Sequence, residues 1–297
     1  MRVPETRART DFWADLRGST QARIGLGRAG DGLPTGSVLD FRQAHAIARD
    51  AVHDPLDVGE LAARIEDVGL GRPVLVRSQA ADRAQYLRRP DLGRRPADLG
   101  PILEHRTAVP GASGHGAAGD GVGAVGAGDT GDGDGNGGNG AGCDYDVYDY
   151  DVGFVLADGL SARALAGHGP ATLAALVAAL PEALSLAAPV IATQARVALG
   201  DHIGLALRVR TVIVLIGERP GLSVADSLGL YLTHRPEPGR TDAERNCVSN
   251  IHPPEGLGYA AAAQVISALV LAARALGRSG VELKDRSREC ALPPPLT

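Results

Sequence analysis

The chain has 297 residues, enough for one or two domains, and its 44% hydrophobic content can fill a buried core. Only 3% of the residues are aromatic, so that core is expected to consist of Ala, Val, Leu and Ile. The net charge of -5 and a pI near 5.9 argue against a nucleic-acid-binding protein, which is normally basic.

Cysteine usage and apolar runs indicate the compartment. Cys143, Cys247 and Cys290 form neither a CxxC pair nor a zinc-site spacing, and their odd number suggests a reducing environment. We find no apolar run of the roughly 18 residues that span a membrane, and the N-terminus lacks the apolar core of a signal peptide. We therefore expect a cytoplasmic protein with no membrane contact.

The first third of the chain is predicted to be mainly helical. Apolar periodicity predicts helices over residues 40–52 and 57–68 and a short strand over 73–78. Residues 88–95 are rich in arginine and turn-forming residues. This stretch is expected to be either a solvated loop or a site for a phosphate or for a partner's carboxylates.

A Gly-rich segment follows at residues 111–142, where almost half of the residues are glycine. Such a composition cannot bury enough apolar surface to offset its ordering entropy, so we expect a flexible insertion. Its GxGxxG match at 121–126 and its partial EF-hand pattern at 132–137 are both discounted. Neither pattern has the flanking strand or helices that give it mechanical meaning.

Strands and helices alternate regularly after this segment. Apolar runs predict strands over 153–157, 190–199, 211–216 and 228–233. Helical periodicity predicts one helix that has Pro170 near its start and two more over 201–207 and 259–276. Such alternation is typical of a doubly wound sheet, in which ligands bind at the carboxyl ends of strands. The loops at 158–161 and 217–221, together with the irregular segment 246–256, are therefore expected to face a ligand.

The predicted fold class is α/β, with a Rossmann-like C-terminal domain and a mainly helical N-terminal region. We place the helical region at residues 1–106, the Gly-rich segment at 107–150 and the Rossmann-like domain at 151–297.

Two residues near the predicted strand ends are candidates for ligand contact. Glu218 directly follows an apolar strand, where it either accepts hydrogen bonds from a ligand or pairs with Arg219 or another arginine. For Cys247, composition alone favours a small buried hydrophobic residue over a nucleophile or metal ligand, because no partner motif accompanies it. No HExxH pair or GxSxG elbow occurs in the chain. The residues alone therefore predict a ligand-binding α/β protein and no catalytic constellation.

Several spaced motifs resemble the small subunit of ethanolamine ammonia-lyase. They cover nearly the whole chain apart from the Gly-rich insertion and the tails, and they lie at residues 16–30, 86–95, 158–161, 217–222 and 245–251.

The resemblance implies a carbon–nitrogen lyase that uses adenosylcobalamin to convert ethanolamine to acetaldehyde and ammonia. It implies a large-subunit barrel that holds ethanolamine and carries the radical chemistry, with the cofactor at the subunit interface and the helical N-terminal region as a large-subunit contact. Three positions of this chain are implied as cobalamin contacts: Val197 of an Arg-Val pair at a strand end, Glu218 and Cys247. The resemblance leaves open whether the complex resides in a bacterial microcompartment.

Two other interpretations stay open from the sequence. One is a stand-alone cobalamin- or nucleotide-binding module without catalytic activity. The other is an enzyme that acts alone on a nucleotide or sugar phosphate, which would need an acid–base pair in the strand-end cleft.

Overall fold

The computed structural model describes residues 5–108 and 148–284. The Gly-rich residues 111–142, with their GxGxxG and EF-hand-like patterns, lie outside the described residues, as do Cys143 and Cys290.

The N-terminal part of the chain contains five helices and one strand within the described residues. They are α1 (Glu5–Gly18), α2 (Thr35–His53), α3 (Val58–Glu66), β1 (Val74–Arg77), α4 (Arg83–Arg88) and α5 (Gly100–Ala108), with a short 3-10 helix at Leu92–Arg94.

The C-terminal part alternates strands and helices up to its fourth strand and then changes pattern. Its elements are β2 (Tyr150–Ala157), α6 (Ala162–Ala179), β3 (Val190–Thr193), α7 (Leu199–Leu207), β4 (Val209–Gly217), β5 (Leu228–His234), a 3-10 helix (Asp242–Glu244), β6 (Asn246–Ile251) and α8 (Tyr259–Leu276).

All six strands form one sheet in the order β1-β3-β2-β4-β5-β6. The pairs from β1 to β4 are parallel, whereas β5 is antiparallel to β4 and β6 is antiparallel to β5. The α/β class is confirmed, but the sheet is mixed. The reason is that no crossover helix separates β4, β5 and β6, and parallel strands require such a crossover.

Strand β1 joins the N-terminal part of the chain to this sheet. Val74 to Arg77 pair in register with Val190 to Thr193 of β3. The N-terminal region is therefore helical except for one strand of the common sheet. The division of the chain at residues 106 and 150 stays a prediction.

Helices cover both faces of the sheet. Helices α3, α6 and α8 pack on one face, which we call the α6 face, and there Ile213 and Leu215 of β4 are buried. Helices α5 and α7 pack on the other face, the α7 face, where Val212 and Val214 are buried. Alternate side chains of a strand point to opposite faces, so β4 is apolar from Val212 to Ile216 because both of its faces are covered there.

Two predicted element boundaries and one predicted irregular segment were wrong. Helix α6 begins at Ala162 because Ser161 caps it by accepting a hydrogen bond from the Ala164 N–H at 3.2 Å, so Pro170 lies inside the helix and not near its start. Strand β3 ends at Thr193 and not at residue 199, since Gln194 has a φ of 53°, in the left-handed region. The segment beginning at residue 246, expected to be irregular, starts with the edge strand β6.

Helix α8 corrects the expectation that no apolar run is long enough to span a membrane. Its 18 residues meet that length and composition by themselves. The helix packs against α6, β5 and β6 and buries Ile266, Leu269 and Val270 in the core on the α6 face. These contacts are those of a core helix.

Candidate functional site

The outer strands of the sheet leave part of the α7 face open. Helix α7 packs over β2 and β4, whereas at the edge strand β6 the described residues leave Cys247 exposed. Val214 of β4 lies opposite Tyr231 of β5, which in turn lies opposite Cys247 of β6. Opposed residues share a face, so these three side chains form a row in which Tyr231 is half-buried and Cys247 is exposed.

Glu218 extends from the end of β4 towards this row. Its Oε2 atom accepts a hydrogen bond from the Asn250 N–H at 3.2 Å. A Cβ atom at Gly229 would lie only 3.0 Å from Oε1, so the glycine leaves room for the carboxylate. Glu218 forms no ion pair with any described residue, Arg219 included.

The thiol of Cys247 is a neutral neighbour and not an activated nucleophile. Although the residue as a whole is exposed, neighbouring atoms partly desolvate its thiol and raise its pKa, and the charge of Glu218 adds to this rise. Hydrogen bonds with Tyr231 and Ser249 lower the pKa by less. Burial also raises the pKa of the Tyr231 hydroxyl. Both groups are protonated near neutral pH, so the site offers a carboxylate acceptor beside two weak donors.

Val197 lies in the connection between β3 and α7, beyond the strand end where the resemblance had placed it. It is half-buried against the apolar cluster of the α7 face, and Tyr231 packs against the same cluster. The structure therefore brings Val197 to the face that carries Glu218 and Cys247.

A buried carboxylate holds the segment that carries Val197. The two Asp158 oxygens accept hydrogen bonds from the backbone N–H groups of Gln194 at 2.8 Å and Ala195 at 2.9 Å. Arg83 lies 3.6 Å away and offsets the charge. Burial raises the pKa of Asp158, and this rise exceeds the lowering by the two hydrogen bonds and by Arg83. These contacts hold Gln194 in its left-handed conformation and turn the chain from β3 into α7.

Tyr86 forms the second support of this segment. It is fully buried, and its hydroxyl donates a hydrogen bond to the Ala195 carbonyl at 3.0 Å. The Arg196 guanidinium stacks 4.5 Å from the centre of the Tyr86 ring. Sequence reasoning missed the roles of Asp158 and Tyr86. The available signal for Asp158 was its position directly after an apolar strand.

The strand-end loops expected to meet a ligand do lie together. The Leu160 N–H donates to the Gly217 carbonyl at 2.9 Å, and the Ser161 hydroxyl donates to the Ala225 carbonyl at 3.1 Å. These loops bind mainly to each other. Of the two strand-end loops at 158–161 and 217–221, it is the second that carries a side chain, Glu218, to the open face.

The fold and this open sheet face define a mixed α/β protein with a candidate ligand-binding surface. In the part of the chain that the structure describes, no group of three or more His, Cys, Asp or Glu side chains could hold a metal ion.

Comparison with known proteins identifies the family. The family model described as ethanolamine ammonia-lyase light chain (EutC) matches residues 10–110 and 143–284. A curated protein of Rhodococcus erythropolis, named ethanolamine ammonia-lyase small subunit, is 56% identical over 282 residues, with 95% of this chain and 93% of the relative covered. Proteins of the same name from Xanthomonas campestris pv. campestris and Bradyrhizobium diazoefficiens are 45% and 43% identical, over 97% and 93% of this chain and 92% of each relative.

The chain therefore belongs to the ethanolamine ammonia-lyase light-chain family. The resemblance stated from the motifs is confirmed, and the matched ranges omit residues 111–142 of the Gly-rich segment.

Proposed function

We propose that this chain is the small subunit of an adenosylcobalamin-dependent ethanolamine ammonia-lyase, which converts ethanolamine to acetaldehyde and ammonia together with a large subunit. The supporting observation is that Val197, Glu218 and Cys247, which the resemblance implies as cofactor contacts, border one open sheet face although they are far apart in sequence.

The groups on this face fit a corrin. Its peripheral amides donate hydrogen bonds, and Glu218 offers a carboxylate acceptor with no arginine competing for it among the described residues. Val197 supplies an apolar surface, and Cys247 and Ser249 are exposed on the edge strand. When bound, adenosylcobalamin supplies a cobalt–carbon bond whose homolysis starts radical chemistry.

The residues of this chain bind and orient, and we assign the chemical steps to the large subunit. Glu218 would accept hydrogen bonds from the corrin amides, Val197 would pack against the macrocycle, and Cys247 would stay a protonated thiol beside it. Asp158 and Tyr86 hold the Val197 segment in place. Ethanolamine is then bound by the large subunit, and the open sheet face forms one wall of a shared cofactor site.

The proposal extends to the fold and the compartment. We interpret the parallel strands β3, β2 and β4, with α6 and α7 on opposite faces, as a Rossmann-like unit to which β1, β5 and β6 are added. We propose a cytoplasmic hetero-oligomer, and fractionation of cells grown on ethanolamine would reveal residence in a microcompartment.

Cofactor affinity of the assembled complex tests the proposal. The chain is co-expressed with a large subunit, and the purified complex is assayed for acetaldehyde and for adenosylcobalamin binding by equilibrium dialysis. Glu218→Ala removes a charged acceptor and is expected to weaken binding about tenfold. Val197→Asp places a charge against an apolar cluster and is expected to weaken binding at least as much.

Glu182→Ala is the matched control, because Glu182 is an exposed carboxylate away from the open sheet face. Wild-type affinity in both site variants would refute the assignment of the site. A chain that binds cobalamin by itself and does not associate with a large subunit would instead support the stand-alone module.

A further inference from the structure

A hollow of about 810 Å³ adjoins the candidate site at Val197. We call it the arginine hollow, because five arginines line it beside Val197: Arg94, Arg95, Arg196, Arg240 and Arg245.

Two of these arginines are neutralised within the protein. Arg245 is buried and forms two hydrogen bonds of 2.6 Å with Asp201. Arg240 pairs with Glu244 at 2.7 Å. These two side chains build the wall of the hollow and contribute little net charge to it.

The other three arginines have no ion-pair partner in the part of the chain that the structure describes. Arg94 and Arg95 are exposed, and neither forms an ion pair with a described residue. Arg196 stacks on Tyr86, and its buried Nε atom has no hydrogen-bond partner among the described residues. Of the described lining residues Asp242 alone is acidic, and it lies 3.7 Å from Arg245. The hollow therefore carries an excess of positive charge.

This charge and shape suit a phosphate group. A guanidinium presents a planar fork of donors that matches phosphate oxygens, and three such side chains line this one concave surface. We infer that the arginine hollow binds the phosphodiester of the cobalamin nucleotide tail, an inference that rests on the proposed cofactor. The hollow shares Val197 with the corrin site, and Arg245 precedes Cys247 on the same chain segment, so one ligand can occupy both.

Three corrinoids separate the phosphate from the rest of the cofactor. Adenosylcobalamin carries the phosphodiester and the base, adenosylcobinamide phosphate carries a phosphate without the base, and adenosylcobinamide carries neither. Binding of each to the complex with the large subunit is measured by equilibrium dialysis. The variant Arg94→Gln/Arg95→Gln is expected to weaken binding of the two phosphate-bearing ligands by about 10- to 100-fold and to leave adenosylcobinamide binding unchanged.

Arg88→Gln is the matched control, since Arg88 is an exposed arginine of the same basic stretch and does not line the hollow. Its affinities should equal those of the wild type. Unchanged thermal unfolding of the double variant checks that the fold is intact, as expected for two exposed side chains.

Equal weakening for all three ligands, or for none, overturns the inference. A second outcome also overturns it: the double variant associates more weakly with the large subunit, but the complex that still forms binds all three corrinoids as the wild type does. The hollow would then receive carboxylates of the partner. If the wild-type complex binds none of the three corrinoids, the proposed function itself fails, and this outcome is distinct from the others.

Discussion

At Gly217 the absence of a side chain sets the distance between two strand-end loops. A Cβ atom there would lie 2.0 Å from the Ser161 carbonyl oxygen and 2.8 Å from that of Asp158. Gly217→Ala must push the Asp158 loop away from β4. We expect it to lower the free energy of unfolding by at least about 2 kcal/mol in urea titrations.

Gly167→Ala is the control for this substitution. Gly167 lies in helix α6, and a Cβ atom added there would have no described neighbour within 4 Å, so alanine meets no clash. It is expected to stabilise the protein by about 0.5–1 kcal/mol, because glycine is unfavourable inside a helix. Wild-type stability in Gly217→Ala would show that the two loops do not need their close approach.

The contribution of a single residue was predictable where it depended on neighbours in sequence. Glu218 could be selected because it directly follows an apolar strand. Cys247 could not, since composition favours burial, and its exposure results from the open side of an edge strand. The role of Tyr86 depends on a carbonyl 109 residues away, and no local pattern encodes such a contact.

At the scale of elements, apolar periodicity predicted buried elements and missed the edge of the sheet. The predicted helix at residues 259–276 matches α8, and β4 extends the predicted strand by a few residues. In β6 only Val248 and Ile251 are buried, which is too weak an alternation to predict a strand. The antiparallel direction of β5 depends on its pairing with β4, which its own residues do not specify.

The 3-10 helix at Asp242–Glu244 depends on ionised Glu244. This carboxylate accepts hydrogen bonds from the Thr241 N–H and from Arg240, both at 2.7 Å, and these contacts lower its pKa to about 2, with the backbone contribution the largest. A lowered folded-state pKa means that the stabilisation is complete above the ordinary value of 4.5 and is lost as the pH falls towards 2.

We therefore expect Glu244→Gln to lower the thermal unfolding midpoint at neutral pH and to lower it less at acidic pH. Midpoints of wild type and variant are compared by circular dichroism at about pH 7 and about pH 3. Glu104→Gln, at an exposed position on α5, should show no such convergence. A constant difference between wild type and Glu244→Gln across this range would contradict the role of the charge.

At the scale of the whole molecule, the end of α5 and the residues just before β2 lie in contact, although the Gly-rich segment separates them in sequence. Arg106, near the end of α5, forms an ion pair of 3.0 Å with Asp149, just before β2. The same arginine donates a hydrogen bond to the Ala206 carbonyl of α7 at 3.1 Å. The two ends of the intervening segment are thus held side by side, so a short connection is long enough to join them.

Deletion of residues 113–140 is therefore expected to leave the fold and the cofactor site intact. The family model does not match residues 111–142, and a shorter loop costs less entropy to close, which should raise the free energy of unfolding by about 1 kcal/mol. Urea titration and adenosylcobalamin dialysis of the complex with the large subunit measure the two effects. Loss of large-subunit association in the deletion variant, with the isolated chain still folded, would instead assign the Gly-rich segment a contact in the assembly.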